Sequence, residues 1–285
     1  MKNNKTISQF IISENAPAHD FSHDYIISFP LENANLYIVS DGVGLNEEKA
    51  AAAQLTAMSI KEMISKPHKN ISEQIKRAIY HSNQALIDYV TNHKYITGIG
   101  ASVIIAVETT DSLYYTIIGK SILFLIRNKQ ISLINYDTIY HNKEIKYLGN
   151  STLKHIEIVK NKLYEDDLYI FSTQSFLKYI TRMELLKYCS IFQFDNLKIN
   201  LLSLIRTHHL HDDISMIFLK VENGARMPVD LKAENQQKLH FMIAIIVFIL
   251  CTVFFVNTYL PFVSHLFSNS DHTEQIIEQE MSDDR

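Results

Sequence analysis

Glycine is scarce in this chain, with seven in 285 residues, where average usage of about 7% would give roughly twenty. A chain that uses glycine rarely keeps it where the backbone demands it. Gly42, Gly44, Gly98, Gly100, Gly119, Gly149 and Gly224 therefore mark positions of geometric interest. Cysteine is scarcer still. Cys189 and Cys251 stand 62 residues apart, the second inside an apolar run, which argues against a disulfide framework and for a reducing compartment. There is also no excess of positive charge. Lys+Arg 27 against Asp+Glu 31 gives −4, and residues 271–285 alone hold six acids and one arginine. The rest of the chain is close to neutral, without the basic face that nucleic acid requires. The opening MKNNKTISQF has no apolar core, so no secretory signal is expected.

What is present suits a globular protein. Hydrophobic residues make up 47% and charged residues 20%, enough to fill a core in a domain of about 230 residues with an appendage. The appendage begins after residue 221. Residues 222–238 read as a polar linker, and Phe241 to Val256 contain no charged residue. The apolar character extends far enough to predict a transmembrane helix over 239–263, followed by an acidic tail, 264–285. Lys220, Arg226, Lys232 and Lys238 precede this segment and only Arg285 follows it. That asymmetry predicts a single-pass protein with its N-terminal domain in the cytoplasm, as for a bacterial inner membrane.

Within residues 1–221 the hydrophobic period changes several times. Strands are predicted at 24–29 and 36–40, then helices at about 47–65 and 71–91, with Asn46 and Asn70 as N-caps. Period-two runs follow at 101–107, 112–118, 122–127 and 130–134, joined by short turns as in an antiparallel meander. Further strands are expected at 154–159, 167–172 and 214–221, with helices around 175–188 and 197–209. The order describes an α+β protein built on antiparallel sheets, and no internal repeat is visible.

Acidic residues gather where these strands end. Asp41 closes a strand in LYIVSDGVG and is followed at once by Gly42 and Gly44. Asp24 opens the strand expected to pair with it, and Asp212 and Asp213 immediately precede the last strand. Carboxylates brought together in this way repel one another unless a cation sits between them. All-oxygen ligation suits Mg²⁺ or Mn²⁺ better than zinc. The dense run His208, His209 and His211 lies near a helix C-terminus, where histidines commonly favour the dipole.

The order of these segments resembles the metal-dependent (PPM, type 2C) serine/threonine protein phosphatases over about residues 10–221. SHDYIISF resembles the family's Asn-x-Asp-Ala segment, LYIVSDGVG its Asp-Gly-x-Gly strand, and TGIGASVIIAV its Gly-x-Gly-Thr-Thr strand. LYYTIIGKSILFLIRNKQISLI resembles the hairpins around Gly-Asp-Ser-Arg, and YLGN its Ala-Leu-Gly. DDLYIFSTQ and HDDISMIFLKV are similar to the strands ending in Ser-Asp-Gly and beginning with Asp-Asn. The resemblance implies a four-layer αββα sandwich with two metal ions at one edge of its sheets. It implies that Asp41 bridges both ions, that the Gly42 carbonyl binds the first, that Asp24 acts through water, and that Asp212 binds the second. Phosphoserine or phosphothreonine proteins would be the substrates, with a cognate kinase as a further partner. Membership with a lone transmembrane helix after the domain also occurs among bacterial phosphatases of this kind.

The departures bear on the same site. Thr173 stands where the family supplies a second-ion carboxylate, which weakens that ion's position. His19 stands where an arginine holds the substrate phosphate, and it lacks the bidentate fork. Ser22, Lys120 and the pair Leu45–Asn46 replace four further motif residues. Two readings follow from the sequence: a membrane-anchored metal-dependent phosphatase with a degenerate second metal site, and an inactive pseudophosphatase that binds phosphoproteins or a kinase.

Overall fold

Alternation within single strands builds the centre of the molecule. In β3 (Asn35–Val43), Leu36 and Ile38 point to one face while Tyr37 and Val39 point to the other. In β9 (Leu168–Ser172), Leu168 and Ile170 face away from Tyr169 and Phe171. Both faces are apolar, so each sheet must be covered twice. The structure, a computed structural model, describes residues 6–45, 47–66, 70–93, 98–140, 146–149, 153, 156–225 and 242–256. Residues Met1–Met227 and Pro228–Arg285 form separate units.

The first unit contains two five-stranded antiparallel sheets. One has β2 (Asp24–Pro30), β3, β4 (Gly100–Glu108), β5 (Ser112–Ile118) and β8 (Val159–Lys162), hydrogen-bonded in that order. The other runs β1 (Thr6–Glu14), β10 (Ile214–Asn223), β9, β6 (Ile122–Arg127) and β7 (Gln130–Leu133). Between them Tyr37, Val39, Ile104 and Tyr115 meet Leu123, Tyr169, Phe171 and Ile217. On the outside of the first sheet lie α1 (Glu47–Ile64) and α2 (Ile71–Asn92), whose Ala52, Ala57, Ile60, Ile75 and Ile79 cover Leu36 and Ile38. Outside the second lie α4 (Arg182–Ile191) and α5 (Phe194–Ile205), after the short α3 (Tyr136–Tyr140). Leu185, Leu197, Leu201 and Ile205 pack there against Ile12, Phe124 and Phe218. The expected four-layer αββα sandwich is the architecture found.

Local chemistry explains most boundaries. Asn70 caps α2 by accepting from the Glu73 N–H at 3.2 Å, as its sequence position predicts. Residue 46, the other expected cap, lies outside the described residues. Asn128 and Lys129 both take positive φ, the conformation a two-residue hairpin between β6 and β7 needs. The single helix expected over 175–188 is two elements instead. A 3₁₀ turn, Gln174–Lys178, ends before Thr181, whose hydroxyl accepts from the Glu184 N–H while Glu184 bonds back to the Thr181 N–H. That capping box restarts the chain as α4. The strand expected at 154–159 is displaced to β8, and residues 154–155 lie outside the described residues. Strand β1 was not expected, because TISQFIISE mixes polar and apolar residues on a sheet edge.

In the second unit, residues 242–256 form a helix with exposed apolar side chains, Phe248 and Phe254 among them. Among the described residues no helix is long and apolar enough to cross a membrane. The remainder of the predicted span, residues 239–241 and 257–263, lies outside the described residues, as do the linker positions 226–238 and the acidic tail.

Candidate metal centre

The pairing of β2 with β3 sets Asp24 directly opposite Asp41. Both carboxyls are thus fixed by strand register at one end of the first sheet. The last strand of the other sheet starts nearby, bringing Asp212 and Asp213 to the same place. A cavity of about 110 Å³ is lined by His19, His23, Asp24, Asp41, Gly42, Lys49, Gln174, Ser175, Lys178, Asp212 and Asp213. Four carboxylates face two ammonium groups there, a surplus of two negative charges when all are ionised. A larger groove of about 440 Å³ lies between residues 29–34 and 64–66, but Glu32 is the sole carboxylate among its described lining residues.

The two cross-strand carboxyls resist ionising together. Burial, followed by the charge of Asp41, raises the Asp24 carboxyl well above the ordinary range, and nearby Ser215 and Thr173 hydroxyls offset this only in part. Burial also pushes Asp41 up to about 6, against the pull of Lys49. Two close buried acids hold a proton between them in the absence of a cation. Asp24 Oδ2 is buried and makes no hydrogen bond, a costly state for a polar atom unless a ligand occupies it.

Gly42 follows from close packing. A Cβ there would stand 1.9 Å from the Lys49 backbone oxygen, so the first turn of α1 lies directly against the end of β3. The Gly42 N–H donates to the His23 carbonyl at 3.1 Å. Asp24, Asp41 and Gly42 line one cavity, and two carboxylates with an unpartnered oxygen are the donor chemistry that fits one hard divalent cation.

The remaining predicted residues are placed differently. Thr173 is fully buried, and its hydroxyl accepts from the Ser215 N–H at 3.2 Å and lies 3.1 Å from Ser175 Oγ. Its neighbours Gln174 and Ser175 line the cavity instead. Asp212 is ion-paired with Lys178. His19 lines the cavity and is bonded through Nδ1 to Asp213 Oδ1 at 2.8 Å.

Six lining residues were not among the predicted site residues: His23, Lys49, Gln174, Ser175, Lys178 and Asp213. Asp213 is nearly inaccessible, and besides His19 it accepts from the backbone N–H of Ala16 at 2.7 Å and of His23 at 2.6 Å. It ties the segment before β2 to the start of β10. The His19 and His23 rings lie 3.9 Å apart, and burial, then the His19 charge, holds His23 below its ordinary pKa. The doubled acid in HDDIS and the four-residue spacing of His19 and His23 were visible signals. Lys49 and Lys178 gave none, since lysines on helices and turns usually face solvent.

No protein-family model matches the sequence, and no curated protein matches it. Solved structures do. A serine/threonine phosphatase from S. agalactiae is 14% identical, with 76% of this chain covering 100% of that chain at a TM-score of 0.67. The catalytic domain of the serine threonine protein phosphatase PstP, solved with two manganese ions, is 15% identical over 76% of this chain and 99% of its own, with a TM-score of 0.65. Serine/threonine phosphatase Stp1 from Staphylococcus aureus is 15% identical over 78% of this chain and 98% of its own, with a TM-score of 0.68. At such identities the likeness establishes the fold. The first unit of this chain therefore has the two-sheet sandwich fold of the serine/threonine phosphatases, with its acidic cavity at one end of the sheets.

Proposed function

We propose that the chain is a metal-dependent phosphatase of phosphoserine and phosphothreonine proteins, held at a membrane by the segment containing residues 242–256. The observation that carries the reading is the Asp24–Asp41 cross-strand pair beside Gly42, in which a buried Asp24 oxygen is left without a partner. Asp24, Asp41 and the Gly42 carbonyl would hold Mn²⁺ or Mg²⁺. A bound ion of this kind supplies an activated water near neutral pH and compensates charge on phosphoryl oxygens.

The chain's own residues do the rest. Lys49 and Lys178 would bring ammonium groups to the phosphoryl oxygens, and Asp213 fixes the ring of His19, the residue that stands in sequence where the resembled family has an arginine. A second ion would be held less strongly, because the Thr173 hydroxyl is already bonded within the protein and Asp212 is matched by Lys178. Membrane attachment draws on the continuous apolar surface of residues 242–256 and on the Lys/Arg asymmetry around them. The N-terminal domain then faces the cytoplasm.

The test is hydrolysis of a phosphothreonine peptide by the full-length chain in detergent at saturating Mn²⁺. Turnover that falls at least 100-fold in Asp41→Asn supports the reading. Phosphopeptide binding without turnover replaces it with a pseudophosphatase, and neither binding nor turnover rejects both.

A further inference from the structure

The cavity's charges leave one cation unaccounted for. Its surplus of two negative charges is neutralised by one divalent ion, so a phosphomonoester dianion entering afterwards meets no net attraction. A second divalent ion restores balance with that dianion. The position expected for it offers little: Asp212 is paired with Lys178, and Thr173 donates and accepts within the fold.

The other wall of the same cavity carries a different donor set. One ring nitrogen each from His19 and His23 and a carboxylate oxygen of Asp213 lie within 4.8 Å of one another. The two Asp213 oxygens each face one imidazole: His19 Nδ1 stands 2.8 Å from Asp213 Oδ1 and His23 Nδ1 stands 3.9 Å from Asp213 Oδ2. Ligands about 2.05 Å from a tetrahedral ion stand about 3.3 Å apart, a spacing inside the 4.8 Å limit that encloses this group. The carboxylate is also prepared. Ala16 and His23 backbone N–H groups hold Asp213 in place, and a carboxylate with about four lone-pair sites keeps capacity for a metal. Held ligands of this kind are what tune a metal site.

We infer that His19, His23 and Asp213 form a binding site for a borderline divalent metal of the zinc class, distinct from the all-oxygen site at Asp24 and Asp41. Two imidazoles and one carboxylate with an open position favour Zn²⁺, Co²⁺ or Fe²⁺ over Mg²⁺. The site rests on and deepens the phosphatase reading, because one of its ligands, His19, stands in sequence where the resembled family has an arginine. Binding there is nonetheless testable without any catalytic assay.

The experiment is zinc X-ray absorption on the full-length chain loaded with one equivalent of Zn²⁺. The expected spectrum shows imidazole scattering that persists when the outlying His208, His209 and His211 are all replaced by alanine. Zinc affinity should then fall at least tenfold in His19→Ala and in His23→Ala. An oxygen-only shell, imidazole scattering that disappears with the outlying histidines, or no zinc uptake would overturn the site. Absence of phosphopeptide hydrolysis, with the imidazole signal intact, would reject the phosphatase reading and leave the site standing.

Discussion

Two buried carboxylates at different places in the sandwich have opposite surroundings. Asp167, next to β9, is 1% exposed and receives a bidentate pair of hydrogen bonds from Arg127, both at 2.7 Å. The Tyr164 N–H adds a third at 3.0 Å, and the guanidinium lies over the Tyr164 ring. Asp24 is 8% exposed, faces another acid across the strand pair, and leaves one oxygen without a bond. Asp167 is satisfied within the protein by an opposite charge, as a structural carboxylate is. Asp24, with an unsatisfied oxygen beside a second acid, carries an uncompensated burial cost, and this is the feature on which the proposed cation site rests.

Mutation should separate the two regions sharply. Asp167→Ala leaves the Arg127 charge unpaired and is expected to cost about 3–5 kcal/mol, measured by urea denaturation, without changing metal affinity. Gly42→Ala drives a Cβ into the Lys49 carbonyl. The expected cost is about 2–3 kcal/mol, accompanied by loss of Mn²⁺ binding, because β3 and α1 must separate. Unchanged Mn²⁺ affinity in that variant would show that close approach at Gly42 does not shape the site.

Asp41→Asn should act in the reverse sense on the metal-free chain, stabilising it by about 1–2 kcal/mol at pH 7. The folded carboxyl titrates at about 6 against an ordinary 3.8, so the folded state binds the proton more tightly. The penalty is present in full above about pH 6 and fades as the pH falls towards 4. The gain from Asp41→Asn should therefore shrink over the same window in thermal melts, and a gain that is constant with pH would contradict the shared-proton picture. Lys178→Ala is the smallest change. Its ion pair with Asp212 is largely exposed, so stability should move by less than about 1 kcal/mol. Affinity for a second Mn²⁺ should rise as Asp212 is released, and calorimetry at high metal would detect it.

The contrast also explains how much of the molecule was readable from its sequence. Period-two alternation disclosed β4, β5, β6 and β7, and Asn70 with Glu73 disclosed the start of α2, because those signals are local. Strand β1 escaped because an edge strand needs no uniform pattern, and the break before α4 escaped because Thr181–Glu184 lay inside a continuous apolar stripe. Asp24, Asp41, Gly42, Asp212 and His19 were legible through turn position and family resemblance, and the structure brings all five to one cavity. What distinguishes Asp24 from Asp167 was not legible. Whether Arg127 meets Asp167, or Lys178 meets Asp212, depends on strand order between distant segments. The convergence of His23 and Asp213, 190 residues apart, depends on it equally.

Calorimetric titration of Mn²⁺ into the full-length chain and into Asp41→Asn addresses the central claim most directly. The account predicts saturable binding with proton release to the wild-type chain, and at least tenfold weaker binding to the variant. Equal binding by the two, or none by the wild type, would contradict it.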